Sequence, residues 1–214
     1  MSDASPRPSL ALFDFDGTLT TTESFGAFLR MAVPTLRLRW GVVLVAPLIL
    51  AYRLRLLPGT VVRAAILRIA VRGLDAATVA AAGERYARDV VPATLRPDML
   101  ARLRWHRERG DVVAVVSGAF DVCIRAWCEA EGIAMLASAL EQRDGRLTGR
   151  YAGAQCTGKE KVRRIRTAYA PSTFARIHAY GDTVEDLPML SLADDAVYRG
   201  QPMLQRPCVE SGKA

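Results

Sequence analysis

The stretch Ser9–Phe25, SLALFDFDGTLTTTESF, decides how the rest of the chain is read. An apolar run from Leu10 to Phe13 stops on Asp14 and Asp16, with Gly17, a row of threonines and Glu23 behind them. A near-continuous apolar run of this kind reads as a buried parallel strand. Carboxylates are rarely buried unless something pairs with them. Two of them at the end of such a strand are therefore either chance acids of a solvated turn or a pair held for a cation and a reaction. A helix over Thr22–Met31 follows, with Thr21 or Thr22 as its cap and Glu23 in its first turn.

Outward from this stretch, residues 34 to 91 are rich in Arg, Leu and Ala and helical in character, broken by Pro34, Pro47 and the sequence LPG at Leu57–Gly59. Residues 74 to 91 make one more helix, with Asp75 near its cap. After Pro92 the pattern changes. An amphipathic helix over Pro97–Arg109 is stopped by Gly110, a β-branched strand covers Asp111–Ser117, and Gly118 opens a helix over Phe120–Glu131. Asp144-Gly145 inside LEQRDGRLTGRY is a hairpin signal. A helix over Lys159–Tyr169, a strand over Ile177–Tyr180, a helix out of GDTVEDLPML and a short strand over Ala196–Tyr198 complete the series. Strands alternating with helices predict an α/β fold, a parallel sheet with helices on both faces. The helical block interrupts that alternation just after the first strand, which places it over the sheet edge where open α/β folds bind ligands.

Composition narrows the classes. The chain has 214 residues, half of them hydrophobic, enough for one compact domain with a smaller insert and too apolar for a disordered protein. The first apolar run is too short for a signal peptide and leads directly into DFDGT, so the expected location is cytoplasmic. The polar ends MSDASPRPS and QRPCVESGKA are expected to fray. Cys123, Cys128, Cys156 and Cys208 form no CxxC pair and His106 and His178 lie far apart, so a zinc site is not supported and reduced thiols are expected. Net charge is +7, and the segment between Ser24 and Leu74 alone holds eight arginines (30, 37, 39, 53, 55, 63, 68 and 72) and no acid. Few aromatics accompany those arginines, which argues against nucleic acid as partner and leaves an anionic surface or ligand.

The strand ends, in chain order, carry Asp14-Phe-Asp16-Gly-Thr18, then Ser117-Gly118, then Gly181-Asp182-Thr-Val-Glu-Asp186, with Lys159 opening a helix before the last. In a parallel sheet these ends lie along one edge. Oxygen-only ligands from Asp14 and Asp182 suit a hard cation such as magnesium. Ser117 and the N–H groups at a helix start can cradle phosphate oxygens. Lys159 supplies compact positive charge.

These motifs, in this order, resemble the haloacid dehalogenase superfamily of phosphohydrolases over about residues 9 to 200, and VVSGAFDVCIRAWCEAEGI with RDGRLTG looks like its phosphoserine phosphatase branch. The resemblance implies a Rossmann-like doubly wound parallel sheet with an α-helical cap inserted after the first strand, residues 1–19 and 92–214 forming the catalytic core and 20–91 the cap. It implies a magnesium-dependent phosphomonoester hydrolase in which Asp14 is the nucleophile that becomes an aspartyl-phosphate. Asp16 would be the general acid and then the base. Mg2+ would be held by the Asp14 side chain, the Asp16 main-chain carbonyl and Asp182, with Asp186 as support. Gly17, Thr18, Ser117, Gly118 and Lys159 would contact the phosphate, and Glu23 matches a substrate-contacting glutamate of phosphoserine phosphatases. A phosphotransferase would use the same residues. A catalytically silent membrane- or anion-binding module is the rival class, opposed by the intact acids in both motifs.

The cap departs from the phosphoserine pattern. In its place stands LRLRWGVVLVAPLILAYRLRLL, residues 36 to 57, whose uncharged run from Trp40 to Tyr52 falls short of the roughly 20 residues that span a bilayer and contains Pro47. One reading packs its apolar face inside the protein. The other turns it to a membrane, with Trp40 and Tyr52 at the interface and the arginines toward anionic lipid. That arrangement resembles phosphatidylglycerophosphate phosphatases of the same branch and implies a lipid phosphomonoester as substrate. Phosphoserine or another small metabolite is the alternative. Glu185 stands where phosphoserine enzymes often place asparagine, and it either adds a metal ligand or changes the polarity of the pocket.

Overall fold

The structure is a computed structural model that describes residues 7–203; of the ends expected to fray, residues 1–6 and the C-terminal stretch with Cys208 lie outside the described residues, whereas Pro8 and Ser9 are held, their carbonyls accepting from Ala175 N–H (3.1 Å) and Val112 N–H (2.8 Å). The strands are β1 (Leu10–Phe13), β2 (Val112–Phe120), β3 (Ala134–Ser138), β4 (Leu140–Arg143), β5 (Arg146–Tyr151), β6 (Ile177–Gly181), β7 (Asp195–Tyr198) and β8 (Gln201–Pro202). The helices are α1 (Ser24–Ala32), α2 (Thr35–Arg53), α3 (Gly59–Val71), α4 (Ala76–Arg85), α5 (Val91–Thr94), α6 (Pro97–Glu108), α7 (Asp121–Glu131), α8 (Lys159–Ala168) and α9 (Leu187–Leu190).

All four residues of β1 are fully buried, because side chains of a strand alternate and both faces here are covered. It sits at the centre of a sheet ordered β3-β2-β1-β6-β7-β8, parallel except for the short edge strand β8. One apolar layer holds Phe13, Phe15, Phe28 and Phe120, and the other Leu10, Leu12, Ile165, Met189 and Leu190. This is the α/β, mostly parallel architecture expected from the alternation. β3 was not legible in the sequence: AMLAS has no β-branched residue, and the strand exists through its pairing with β2.

The helices α1 to α5 lie between β1 and β2 in the chain. The break at Leu57–Gly59 holds, since α2 ends at Arg53 and α3 starts at Gly59, but the break expected at Pro47 does not. Pro47 lacks only its own N–H, and the helix runs through it for 19 residues. The helix expected over 74–91 divides: α4 ends at Arg85, a wider turn covers Tyr86–Val90, and α5 runs past Pro92 to Thr94.

The hairpin β4–β5 forms as Asp144-Gly145 signalled, yet it joins the inserted helices rather than the main sheet. Gly73 N–H donates to the Leu147 carbonyl (2.7 Å), Leu147 N–H to that of Leu74 (2.9 Å) and Ala76 N–H to that of Gly145 (2.8 Å). Gly149 has φ +79° and passes so close to α3 that a Cβ would lie 3.0 Å from the Arg68 main chain, so only glycine fits. The Gln155 side chain also donates to the Thr60 carbonyl (2.8 Å). These bonds hold α3 above the sheet edge.

α2 packs along α3, and Arg37 donates to the Ile69 and Arg72 carbonyls, capping the end of that helix. The outer face of α2 is exposed, Trp40 and Leu44 each at 65%, whereas Leu38, Leu48 and Ile49 are half-buried and Val45, at 2%, is its one fully buried residue. The segment thus packs one face on α3, through Leu38, Gly41 and Val45, and leaves the opposite face exposed. Among the described residues α2 is the one helix long and apolar enough to cross a membrane by length and composition.

Candidate active site

The register brings the site together. Phe13 is level with Val115 and Tyr180, so Asp14 and Asp182, just past the ends of β1 and β6, stand at nearly the same height as Ser117 within β2. Asp14 N–H donates to the Tyr180 carbonyl (2.9 Å), which carries the ladder one residue past β1 and fixes where its carboxylate stands. Gly17 turns the chain with φ +81°. A Cβ there would meet Asp182 Oδ2 at 2.3 Å, so the loop approaches Asp182 because the position is glycine.

The lysine of the site is Lys161, not Lys159. Lys159 opens α8 exposed to solvent, whereas Lys161 is buried on the inward face of that helix, one turn before buried Ile165. Its ammonium donates to Asp14 Oδ1 and to Asp186 Oδ1, both at 2.6 Å. The signal available in the sequence was the i, i+4 pairing of Lys161 with Ile165, which puts it on the apolar stripe. Residues two apart on a helix point to nearly opposite sides, so Lys159 faces away.

Asp186 spends its other oxygen on three donors: Asp182 N–H (3.1 Å), Thr183 N–H (2.9 Å) and Thr183 Oγ1 (2.9 Å). Asp182 Oδ1 accepts from Thr18 Oγ1 (3.0 Å). Asp16 turns away from this cluster. Its two oxygens accept from Ser24 N–H (3.0 Å) and Ser24 Oγ (2.7 Å) at the start of α1. Ser117 Oγ accepts from Ala119 N–H (3.2 Å), leaving its own proton to donate. Gly118 and Ala119 continue the pocket wall, and Glu23, Arg63, Thr157 and Glu185 complete it. Sequence reasoning did not single out Arg63 as a pocket residue. It comes from α3 and pairs with Glu23 (3.6 Å) and Glu185 (3.7 Å).

Burial governs the electrostatics. It raises Asp14 well above the usual carboxylate range, against the pull of Lys161, with the Asp186 charge adding to the rise. It lifts Asp16 to about 6, opposed by the Ser24 hydrogen bonds. Asp182 is raised for the same reason. For Asp186, burial is outweighed by Lys161 and the Thr183 donors, which hold it below its ordinary value. The lysine, despite its burial, is kept charged by the two carboxylates.

Asp14, Asp182 and Asp186 offer carboxylate oxygens within 4.8 Å of one another. Three acids against one ammonium leave a surplus of negative charge, and the donors are all oxygen, so the cluster fits a hard divalent cation such as Mg2+. Because Asp186 is fully engaged, Asp14 and Asp182 are the side chains with capacity to hold it. Glu185 stands outside this cluster, paired with Arg63.

Comparison with known proteins agrees with this geometry. The family model of haloacid dehalogenase-like hydrolases matches residues 11–191. The protein CicA of Caulobacter vibrioides is 34% identical over 201 residues, 92% of this chain and 89% of CicA. A Bordetella pertussis Tohama I protein of unknown function superposes with a TM-score of 0.72 at 25% identity, covering 90% of both chains. A substrate-bound phosphoserine phosphatase superposes with a TM-score of 0.65 at 23% identity, covering 91% of this chain and 87% of its own, and shares the fold.

Proposed function

The chain belongs to the haloacid dehalogenase-like hydrolases, and from that premise we propose that it is a phosphatase, a magnesium-dependent phosphomonoester hydrolase that works through an aspartyl-phosphate on Asp14 and acts on a phosphomonoester carried by a lipid. The observation that carries the chemistry is Asp14 at the strand end with one oxygen held by Lys161 at 2.6 Å and the other left to react. That oxygen attacks phosphorus while the bond to the alcohol oxygen breaks. Asp16, whose acidity lies near 6, gives its proton to the departing oxygen. The Asp16 carboxylate then takes a proton from water, whose oxygen displaces Asp14 from phosphorus and regenerates the carboxylate. Asp14, Asp182 and the Asp16 main-chain carbonyl would hold Mg2+, which when bound would supply charge stabilisation for the transferring group. The Ser117 hydroxyl, oriented by the Ala119 N–H, and the Gly118 main chain receive the phosphate oxygens, in place before the reaction.

The lipid reading rests on α2. Its length of about 28 Å, its exposure and the arginines at both ends fit a helix lying in the surface of an anionic bilayer, Trp40 and Tyr52 at the headgroups. The site beneath α3 then faces a substrate held in the same surface. The test is phosphate release from phosphatidylglycerophosphate in vesicles, with Mg2+ and with EDTA. Release that depends on Mg2+ and exceeds release from phosphoserine is the expected result. Equal or faster turnover of phosphoserine refutes the lipid reading.

A further inference from the structure

The edge hairpin of β7 and β8 turns on two residues, Arg199 and Gly200, both with positive φ, +52° and +75°. Tight turns of this kind favour Asn, Asp or Gly at the first position, since those residues tolerate the left-handed region. Arginine does not, so the needs of the turn leave its presence unexplained. Its side chain supplies the reason. It folds over the ring of Tyr198, with Cζ 5.0 Å from the centroid, and Nε donates to the Asp182 carbonyl (2.9 Å).

That carbonyl lies one residue past β6, where the ladder has already ended. The last main-chain bond there runs from Arg199 N–H to the Gly181 carbonyl (2.9 Å), and no main-chain N–H donates to Asp182 among the described residues. The Arg199 side chain thus provides the donor that the sheet no longer does. Asp182 is tied at its other groups too, its N–H to Asp186 and its Oδ1 to Thr18. Among the described residues its Oδ2 alone carries no hydrogen bond. Arg199 is itself exposed and lies outside the phosphate pocket, so it acts on the site only through Asp182.

We infer that Arg199 is a positioning residue for the metal: by holding the Asp182 main chain, it sets where the free oxygen of that carboxylate stands. The inference rests on the magnesium reading above. The charge of a guanidinium beside the cluster opposes a cation. The contribution is therefore that of the hydrogen bond, not of the positive charge. Metal ligands are oriented by such outer hydrogen bonds, and losing one weakens metal binding by about 10–100-fold.

Three variants of the full chain separate donor, charge and turn. Arg199→Gln keeps a donor nitrogen as many bonds from Cα as Nε and loses the charge. Arg199→Met keeps the length and loses both. Arg199→Asn suits the turn and falls a bond short of Asp182. Mn2+ is the probe, its binding without substrate read from the electron paramagnetic resonance of the free ion. The Mg2+ concentration for half-maximal p-nitrophenyl phosphate hydrolysis is measured beside it. Arg199→Gln is expected to bind Mn2+ at least as tightly as the wild type. Arg199→Met and Arg199→Asn are expected to bind about tenfold more weakly, with kcat at saturating Mg2+ unchanged. Urea denaturation should find Arg199→Asn no less stable than the wild type, which separates weakened metal binding from a weakened fold. Equal Mn2+ affinity in Arg199→Gln and Arg199→Met overturns the inference and leaves the metal site standing. A wild type that binds no Mn2+ and needs no Mg2+ removes the magnesium reading and the inference with it.

Discussion

At the C-terminal edge of the sheet the molecule buries charge, and along α2 it exposes hydrocarbon. In the first region Asp14, Asp186 and Lys161 are almost wholly removed from water, and every one of them has a partner of opposite sign at 2.6 Å. In the second, Leu36, Trp40, Val42, Val43 and Leu44 are mostly exposed among the described residues. Both depart from the ordinary distribution of residues. The difference is that the buried charges are satisfied inside the protein, whereas the outer face of α2 is left without a partner among the described residues.

The comparison is broken most severely at Asp14. Asp14→Asn is expected to lower kcat for p-nitrophenyl phosphate by on the order of 10⁴-fold or more, as loss of a nucleophile does, with the fold retained by circular dichroism. Asp16→Asn should cost about 10²–10⁴-fold with an alkyl phosphate, and clearly less with p-nitrophenyl phosphate, whose leaving group departs without a proton. An equal loss with both would remove Asp16 from the role of acid. Lys161→Met strands two carboxylates in the interior, and urea denaturation should show about 3–5 kcal/mol of lost stability. A loss below about 1 kcal/mol would mean that the buried cluster is not held as described.

On the exposed side the expectation reverses. The double variant Val43→Glu and Leu44→Glu should leave stability within about 0.5 kcal/mol and p-nitrophenyl phosphate hydrolysis unaltered. Cosedimentation with phosphatidylglycerol vesicles should fall by roughly tenfold or more, from about 1.5–3 kcal/mol per buried side chain. A large loss of stability instead would show that α2 packs within the protein.

The smallest effect concerns His106, buried and joined to Asp111 (2.7 Å) and Tyr180 (2.9 Å). Burial holds it below its ordinary 6.5, against the Asp111 hydrogen bond. Its folded value is thus the lower one, the unfolded chain takes the proton first, and the stability it contributes is present above about pH 6.5 and lost as pH falls. The stability difference between wild type and His106→Gln should therefore grow from about pH 5 to about pH 7; a constant difference would contradict a neutral buried imidazole.

The sequence by itself determined the strand-ending Asp14 and Asp16, the later Ser117, Asp182 and Asp186, and the parallel alternation that brings them to one edge, because strand period and chain order are local properties. It also gave the arginine-rich apolar segment. It misplaced the lysine by one pair of residues, since KEK offers two equal choices until a helix face is assigned by packing. Only the tertiary structure decided that Lys161 reaches Asp14 and Asp186 and that β3 exists as an edge partner of β2. It alone bound the hairpin β4–β5 to the insert and thereby hung Arg63 over the pocket. Those facts depend on partners from 20 residues away, between β2 and β3, to 147 away, between Lys161 and Asp14, and no local pattern encodes such a contact.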